Sequence, residues 1–246
     1  MNLMKKLKYN FSKMIKFSAA LLLILFSGSN NKIMGQYIPI QMAPLEGNNI
    51  KTWLYNTGIF NQDLRAQNHP GFQWPAGSGK YAVFTTGLSI AGYMNGELRE
   101  AMASWAGEYT NGYVIDSAGI PVPGTDTRFK FYSVKPTDNW INNPCWLNWG
   151  LMVPFGAPYV DVNNNGIYEP LIDTPGVKGA VHTLFICLTD GFEESHTSGE
   201  GFGGGTLPLY AELHLTAWCY NQSGLEDVQF LKWVVINRTN AMESNK

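Results

Sequence analysis

The sequence predicts a mainly β protein, an antiparallel β-sandwich-like domain with long loops and little helix. Three observations carry that reading. Glycines (26) and prolines (13) are dispersed through the 246 residues, so turn formers interrupt the chain too often for long helices. Aromatic and β-branched residues gather in short apolar runs bounded by Gly, Pro, Asn or Asp. Residues 209–220 alternate strictly, with Leu209, Ala211, Leu213, Leu215, Ala217 and Cys219 on one side and Tyr210, Glu212, His214, Thr216, Trp218 and Tyr220 on the other. A period of two sustained over that length belongs to a strand.

Along the chain, Lys5, Lys6, Lys8, Lys13 and Lys16 precede an apolar run from Phe17 to Phe26, followed by the small residues Ser27, Gly28 and Ser29. Basic, apolar and small segments in that order form a secretory signal, and the run falls short of the ~20 residues that span a bilayer. Residues 1–36 are therefore assigned to the signal peptide and the start of the mature chain, and 37–246 to an extracellular β-rich domain without a transmembrane span. Removing 1–36 takes away six of the 17 basic residues and none of the 19 acids, so the formal charge moves from −2 to −8. An acidic chain with no basic stripe excludes nucleic acid as a partner.

Strands are expected at 81–86, 88–94, 112–115, 128–134 and 181–188. The stretch 96–109 fits either a short helix, through Leu98, Met102, Trp105 and Tyr109, or a strand. Residues 139–149 hold Trp140, Trp146 and Trp149 among asparagines; exposed, these rings form a stacking platform for sugars, and buried they are core. After residues 209–220, Asn221-Gln222-Ser223-Gly224 supplies turn chemistry, and 228–237 resumes as a strand that pairs back as a hairpin with a longer loop.

The sharpest chemical pattern lies in Tyr159-Val160-Asp161-Val162-Asn163-Asn164-Asn165-Gly166-Ile167-Tyr168-Glu169. Oxygen-bearing side chains at offsets one, three and five before a glycine are what a hard cation requires of a loop. The expected ligands are Asp161, Asn163 and Asn165 through side chains, Ile167 through its carbonyl, and Glu169 directly or through water. Calcium is the expected cofactor, in a structural role. An EF-hand would place a bidentate Glu at the twelfth position, where Ile172 stands here; Asp173, one place later, is the available carboxylate, and Pro170 opposes a following helix. The ion-free alternative is an Asn/Gly-rich turn. With two asparagines in place of aspartates, a Kd of about 10⁻⁴–10⁻³ M is expected, in the range of extracellular modules.

No catalytic arrangement emerges. Gly87-Leu88-Ser89-Ile90-Ala91 departs from a nucleophile elbow at its last position, and Gly92 to Gly96 looks like a strand end and turn instead of the helix an elbow needs. His182, His196 and His214 lack metal-binding spacing, and His196, beside Glu193 and Glu194, reads as part of a solvated acidic surface. Cys145, Cys187 and Cys219 have no C-x-x-C spacing; one disulfide with a free thiol, or three buried cysteines, both fit. The glycine-rich 199–205 segment lacks the strand, helix and lysine of a phosphate cradle, and reads as a flexible surface loop.

Several segments together resemble a known group of proteins: Asn56-Thr57-Gly58-Ile59-Phe60, Pro70-Gly71-Phe72-Gln73-Trp74-Pro75, Gly87-Leu88-Ser89-Ile90-Ala91-Gly92, the Asp161 loop running into Asp173-Thr174-Pro175-Gly176, Thr216-Ala217-Trp218-Cys219-Tyr220-Asn221, and Phe230-Leu231-Lys232-Trp233 through Asn237. They resemble the N-terminal region of large secreted surface proteins of Bacteroidota-type bacteria, many of which end in a type IX secretion sorting domain. The likeness spans most of residues 50–240. It implies a secreted or outer-cell-surface setting and attaches no activity. Because Lys246 follows closely on a strand without a sorting domain, the domain is expected to be truncated at its C-terminal end. The expected function is a non-catalytic structural or adhesion module whose partners are cell-surface or extracellular matrix components, glycans among them. The alternative is a carbohydrate-binding or polysaccharide-hydrolase-associated extracellular module.

Overall fold

A computed structural model describes residues 40–66, 69–104, 106–112, 127–196 and 204–238. The expected signal peptide, Trp105, residues 113–115 of one expected strand and residues 199–203 of the glycine-rich segment lie outside the described residues.

Seventeen short strands and one α-helix make up the described regular structure, with four single-turn 3₁₀ segments among them. In chain order the strands are β1 (Met42–Leu45), β2 (Thr52–Tyr55), β3 (Ile59–Phe60), β4 (Gln62–Asp63), β5 (His69–Pro70), β6 (Phe72–Gln73), β7 (Tyr81–Val83), β8 (Thr86–Gly87), β9 (Ile90–Met94), β10 (Glu97–Ala101), β11 (Thr110–Asn111) and β12 (Tyr132–Val134). The helix α1 (Pro144–Asn148) follows, then β13 (Tyr159–Val160), β14 (Thr174–Pro175), β15 (His182–Thr189), β16 (Ala211–Cys219) and β17 (Gln229–Asn237). The expected mainly β, antiparallel, sandwich-like class is the observed one. The largest sheet runs β11–β15–β16–β17, with β12 also pairing along β15; a second sheet runs β1–β2–β3–β8.

The ambiguous stretch resolves as a strand. Asn95 and Gly96 adopt φ of 52° and 81°, and this two-residue turn folds β10 back on β9 with Glu97 opposite Met94. Paired positive φ values match the twist of the flanking strands, which is why Asn-Gly serves there.

Strand β15 is buried along its whole length, and its two faces feed two separate cores. Leu184, Ile186 and Leu188 meet Leu213, Leu215, Ala217 and Cys219 of β16 over Leu45, Trp53, Leu54, Tyr55 and Ile59 of the second sheet. Phe185 and Cys187 face the other way, against Phe129, Tyr132, Val134, Trp149 and Met152. A strand covered on both faces reads as a continuous apolar run, and 184–188 is such a run. Strands β16 and β17 form the expected hairpin over nine paired positions, with Trp218 stacked on its partner Phe230 at 5.3 Å and 11° between planes.

The second core depends on α1. Asn143 caps it by accepting from Cys145 N at 2.8 Å, and Pro144 stands in the first turn, where a missing N–H costs nothing. The chain then winds through 3₁₀ turns that drive Trp149 and Met152 inward, and Trp149 Nε1 donates to Pro158 O at 2.8 Å. Trp149 is fully buried and belongs to the core, the second of the two readings open to these rings, so the three do not form one exposed platform. Of these three rings, Trp140, 46% exposed, faces solvent most. All three cysteines are free, Cys187 and Cys219 buried and Cys145 partly so.

Candidate metal centre

The loop from Asp161 to Asp173 is held at its neck by β13 and β14, where Tyr159 pairs with Pro175 and Val160 with Thr174. Its first and last carboxylates organise its backbone. Asp161 Oδ1 accepts from Asn165 N at 3.2 Å and Oδ2 from Gly166 N at 2.7 Å. Asp173, almost fully buried, accepts from Val162 N at 2.9 Å through Oδ1 and from Glu169 N at 2.7 Å through Oδ2. Gly166 sits at φ 75°, a left-handed conformation that glycine enters without steric cost. These bonds are made by side chains of the loop itself.

Glu169 lies at the centre of the remaining contacts. Its Oε2 accepts from Asn163 Nδ2 at 2.7 Å and from Asn165 Nδ2 at 2.6 Å, while Asn165 Oδ1 accepts from Ile167 N at 2.8 Å. The structure thus draws Asp161, Asn163, Asn165 and Glu169 into one hydrogen-bonded turn with Asp173 beneath it. Ile167 contributes its N–H to that network and exposes its side chain. Three carboxylates stand in a loop without a lysine or arginine. Two amide donors supply the positive partner for Glu169. Among the described residues no group of three His, Cys, Asp or Glu side chains assembles as a metal site, so this donor set would depend on its asparagines and main chain.

A set of oxygens on short side chains around a glycine turn has the chemistry of a hard-cation site. Each asparagine amide carries an oxygen beside its nitrogen, so rotation of the amide planes exchanges the donors now facing Glu169 for acceptors. The residues present fit calcium in that sense.

The loop is also tied to the second core. Tyr168 Oη donates to Trp146 O at 2.6 Å, Trp146 Nε1 donates to Pro170 O at 3.0 Å, and Tyr159 meets Tyr168 edge-on at 5.6 Å. Burial, reinforced by the negative Asp173, pushes the Tyr168 phenol well above its usual range, so it remains a donor at all physiological pH.

Elsewhere, His196 corrects the sequence reading. Glu193 and Glu194 are exposed as expected, yet the His196 ring is only 1% exposed and sits between two buried carboxylates. Its Nε2 donates to the Asp190 carbonyl at 2.8 Å, and Nδ1, buried without a hydrogen-bond partner, lies 3.7 Å from Glu108 Oε2. Glu108 accepts from Met102 N at 2.9 Å and Gly205 N at 2.8 Å, and Asp190 accepts from Leu209 N and Ala211 N, each at 2.6 Å. Burial raises the Asp190 carboxyl, against the pull of those two N–H groups. Residues from three segments, 102–108, 190–196 and 205–211, meet here, and no local spacing signals them. Ser89, set aside as a nucleophile, has its Oγ accepting from Ala103 N at 3.3 Å.

A second buried histidine makes stability depend on pH. His182 Nδ1 lies 3.2 Å from Glu46 N and 3.1 Å from Glu46 O, and Nε2 lies 2.9 Å from Ser133 Oγ. Burial, then the charge of Lys135, lowers the imidazole from 6.5 to about 4. The unfolded chain takes up this proton near pH 6.5 and the folded chain only near 4, so this contribution is intact above 6.5 and is lost as pH falls between those values. The full loss is about 3 kcal/mol. Urea unfolding at pH 7 and 4.5 is expected to show wild type losing about 2.5 kcal/mol more than His182→Gln between the two conditions; equal losses would show that His182 is not the titrating group.

Comparison of the chain with protein-family models, with curated proteins and with solved structures found no match in any of the three.

Proposed function

We propose that this protein is a non-catalytic, secreted or cell-surface module of the structural or adhesion type, in which the Asp161 loop takes up calcium and braces the long connection between β13 and β14. The single observation that supports it best is the arrangement of Asp161, Glu169 and Asp173. The two aspartates shape the turn through its own N–H groups, leaving lone pairs on their oxygens, and Glu169 is balanced only by amides. Asp161, Asn163, Asn165, Glu169, Asp173 and the Ile167 carbonyl would hold the ion. Calcium supplies charge neutralisation and a cross-link there, and performs no chemistry. The surface setting is supported by the basic, apolar and small segments of residues 1–36 and by the resemblance to secreted surface proteins of Bacteroidota-type bacteria.

Calcium that binds only the folded state stabilises it by about 1.4 kcal/mol at ten times Kd. For a chain of this size that corresponds to about 3–6 °C in Tm. Asp161→Ala is expected to remove that increment in calcium and to change Tm little in chelator; equal decreases in both would reject ion binding. Calorimetry on the same protein is expected to give a Kd of about 10⁻⁴–10⁻³ M. N-terminal sequencing of exported material tests the setting independently, with the first residue expected between Asn30 and Tyr37 and an intact Met1 contradicting it.

A further inference from the structure

A cleft of about 210 Å³ opens where the end of β12, α1, the β13–β14 neck and the turn at 177–180 meet. Val134, Trp146, Val160, Pro175 and Val177 give it apolar walls, and Lys135 and Lys178 bring its charged groups. None of the described residues lining it is an Asp or Glu, although residues 37–246 carry a formal charge of −8. Thr174 and Lys178 are exposed, so the cleft meets solvent on their side.

Its positive charge is available to a ligand. Lys135 Nζ lies 3.1 Å from Glu46 Oε1 and Lys51 Nζ 3.0 Å from Glu46 Oε2, so two ammonium groups share that one carboxylate. Lys178 makes no ion pair or hydrogen bond among the described residues. A small-molecule site is mostly apolar with a few polar groups that fix orientation, and here those groups call for an anion.

Size and shape narrow the choice further. An apolar cavity of about 150 Å³ holds a benzene ring, so this cleft takes one six-membered ring with a carboxylate and little more. Trp146 commits its Nε1 to Pro170 O at 3.0 Å, which fixes the indole and leaves its carbon surface as wall. A pyranose offers that wall a C–H face and offers water its hydroxyls, whereas an aromatic acid would leave an apolar edge on the open side.

We propose that this cleft binds a hexuronate ring, the acidic unit of many polysaccharides, with its carboxylate at Lys178 and its C–H face against Trp146. The site stands apart from the calcium reading, because none of the expected ion ligands lines it.

Ligand-observed NMR titration of the purified protein with a methyl glucuronoside is expected to give a Kd of about 1 mM, the strength of one small ring at ordinary contact. The neutral methyl glucoside is expected to bind at least about tenfold more weakly, and raised salt to weaken the glucuronoside alone. Lys178→Glu is expected to lose at least about tenfold in affinity and Lys178→Arg to keep it, with Tm unchanged in both because the side chain is exposed and unpaired. Calcium and chelator are expected to give the same Kd. A protein that binds the glucuronoside but yields no heat with calcium would therefore reject the Asp161 reading and uphold this one. Absence of glucuronoside binding at about ten times the expected Kd overturns the proposal. So do equal affinities for glucuronoside and glucoside, a Lys178→Glu chain that binds as wild type does, tighter binding of benzoate than of the glucuronoside, or binding that vanishes in chelator.

Discussion

Gly87→Ala is expected to leave almost no folded protein. A Cβ on Gly87 would lie 1.8 Å from the Ala103 carbonyl oxygen and 2.5 Å from its carbonyl carbon. Both are backbone atoms, so no side-chain rotation relieves the overlap. Gly87 ends β8, which pairs with β3 at Ile59, and Ala103 forms its own bridge with Gly107. Separating the two segments would open the sheet that covers the principal core. A cost of about 4 kcal/mol or more is expected, comparable with the whole stability of a marginal domain. Gly92→Ala is the control, because its only close neighbour is the end of the Leu209 side chain at 3.3 Å. Soluble yield and thermal melting of the two variants are expected to diverge sharply. Gly87→Ala melting within a few degrees of wild type would show that β8 and Ala103 do not approach so closely. The same contact gives this glycine a packing role.

What could be read from the chain follows the range of the interaction behind it. The β16–β17 hairpin was legible because alternation and turn residues are local, and the observed strand limits fall within two residues of the expected ones. The 96–109 stretch was undecided because Leu98 and Met102 satisfy a helical spacing as well as a strand. The Asn95-Gly96 turn, already legible as a strand end and turn, decides it by setting Glu97 opposite Met94. The second core was not legible. Trp149 and Met152 sit on successive short turns without a common period, so their shared burial depends on Phe185 and Tyr132, distant in sequence. For the loop, the spacing of Asp161, Asn163 and Asn165 anticipated a convergent turn, but the spacing could not reveal that Glu169 is met by both asparagine amides. His196 shows the opposite case, where flanking glutamates gave the correct surface for themselves and the wrong one for the ring.

The second large effect is expected at that ring's partner. Glu108 is fully buried, and its two oxygens take up Met102 N and Gly205 N, tying the segment after β10 to one 97 residues later. Removing the carboxylate strips both N–H groups of their acceptor and leaves His196 Nδ1 facing a void, in surroundings that water does not reach. Breaking a buried charged network in this way costs about 3–5 kcal/mol. Glu108→Ala is therefore expected to lower the urea midpoint severely, and Glu108→Gln less so, since the amide keeps one acceptor but turns an NH₂ toward one of the two N–H donors. Coupling decides whether His196 belongs to the network. If the imidazole is held by Glu108, His196→Ala in the Glu108→Ala background costs less than in wild type, by about 0.5–3 kcal/mol. Strict additivity would mean that the 3.7 Å approach carries no energy and that Glu108 acts through its two backbone bonds alone.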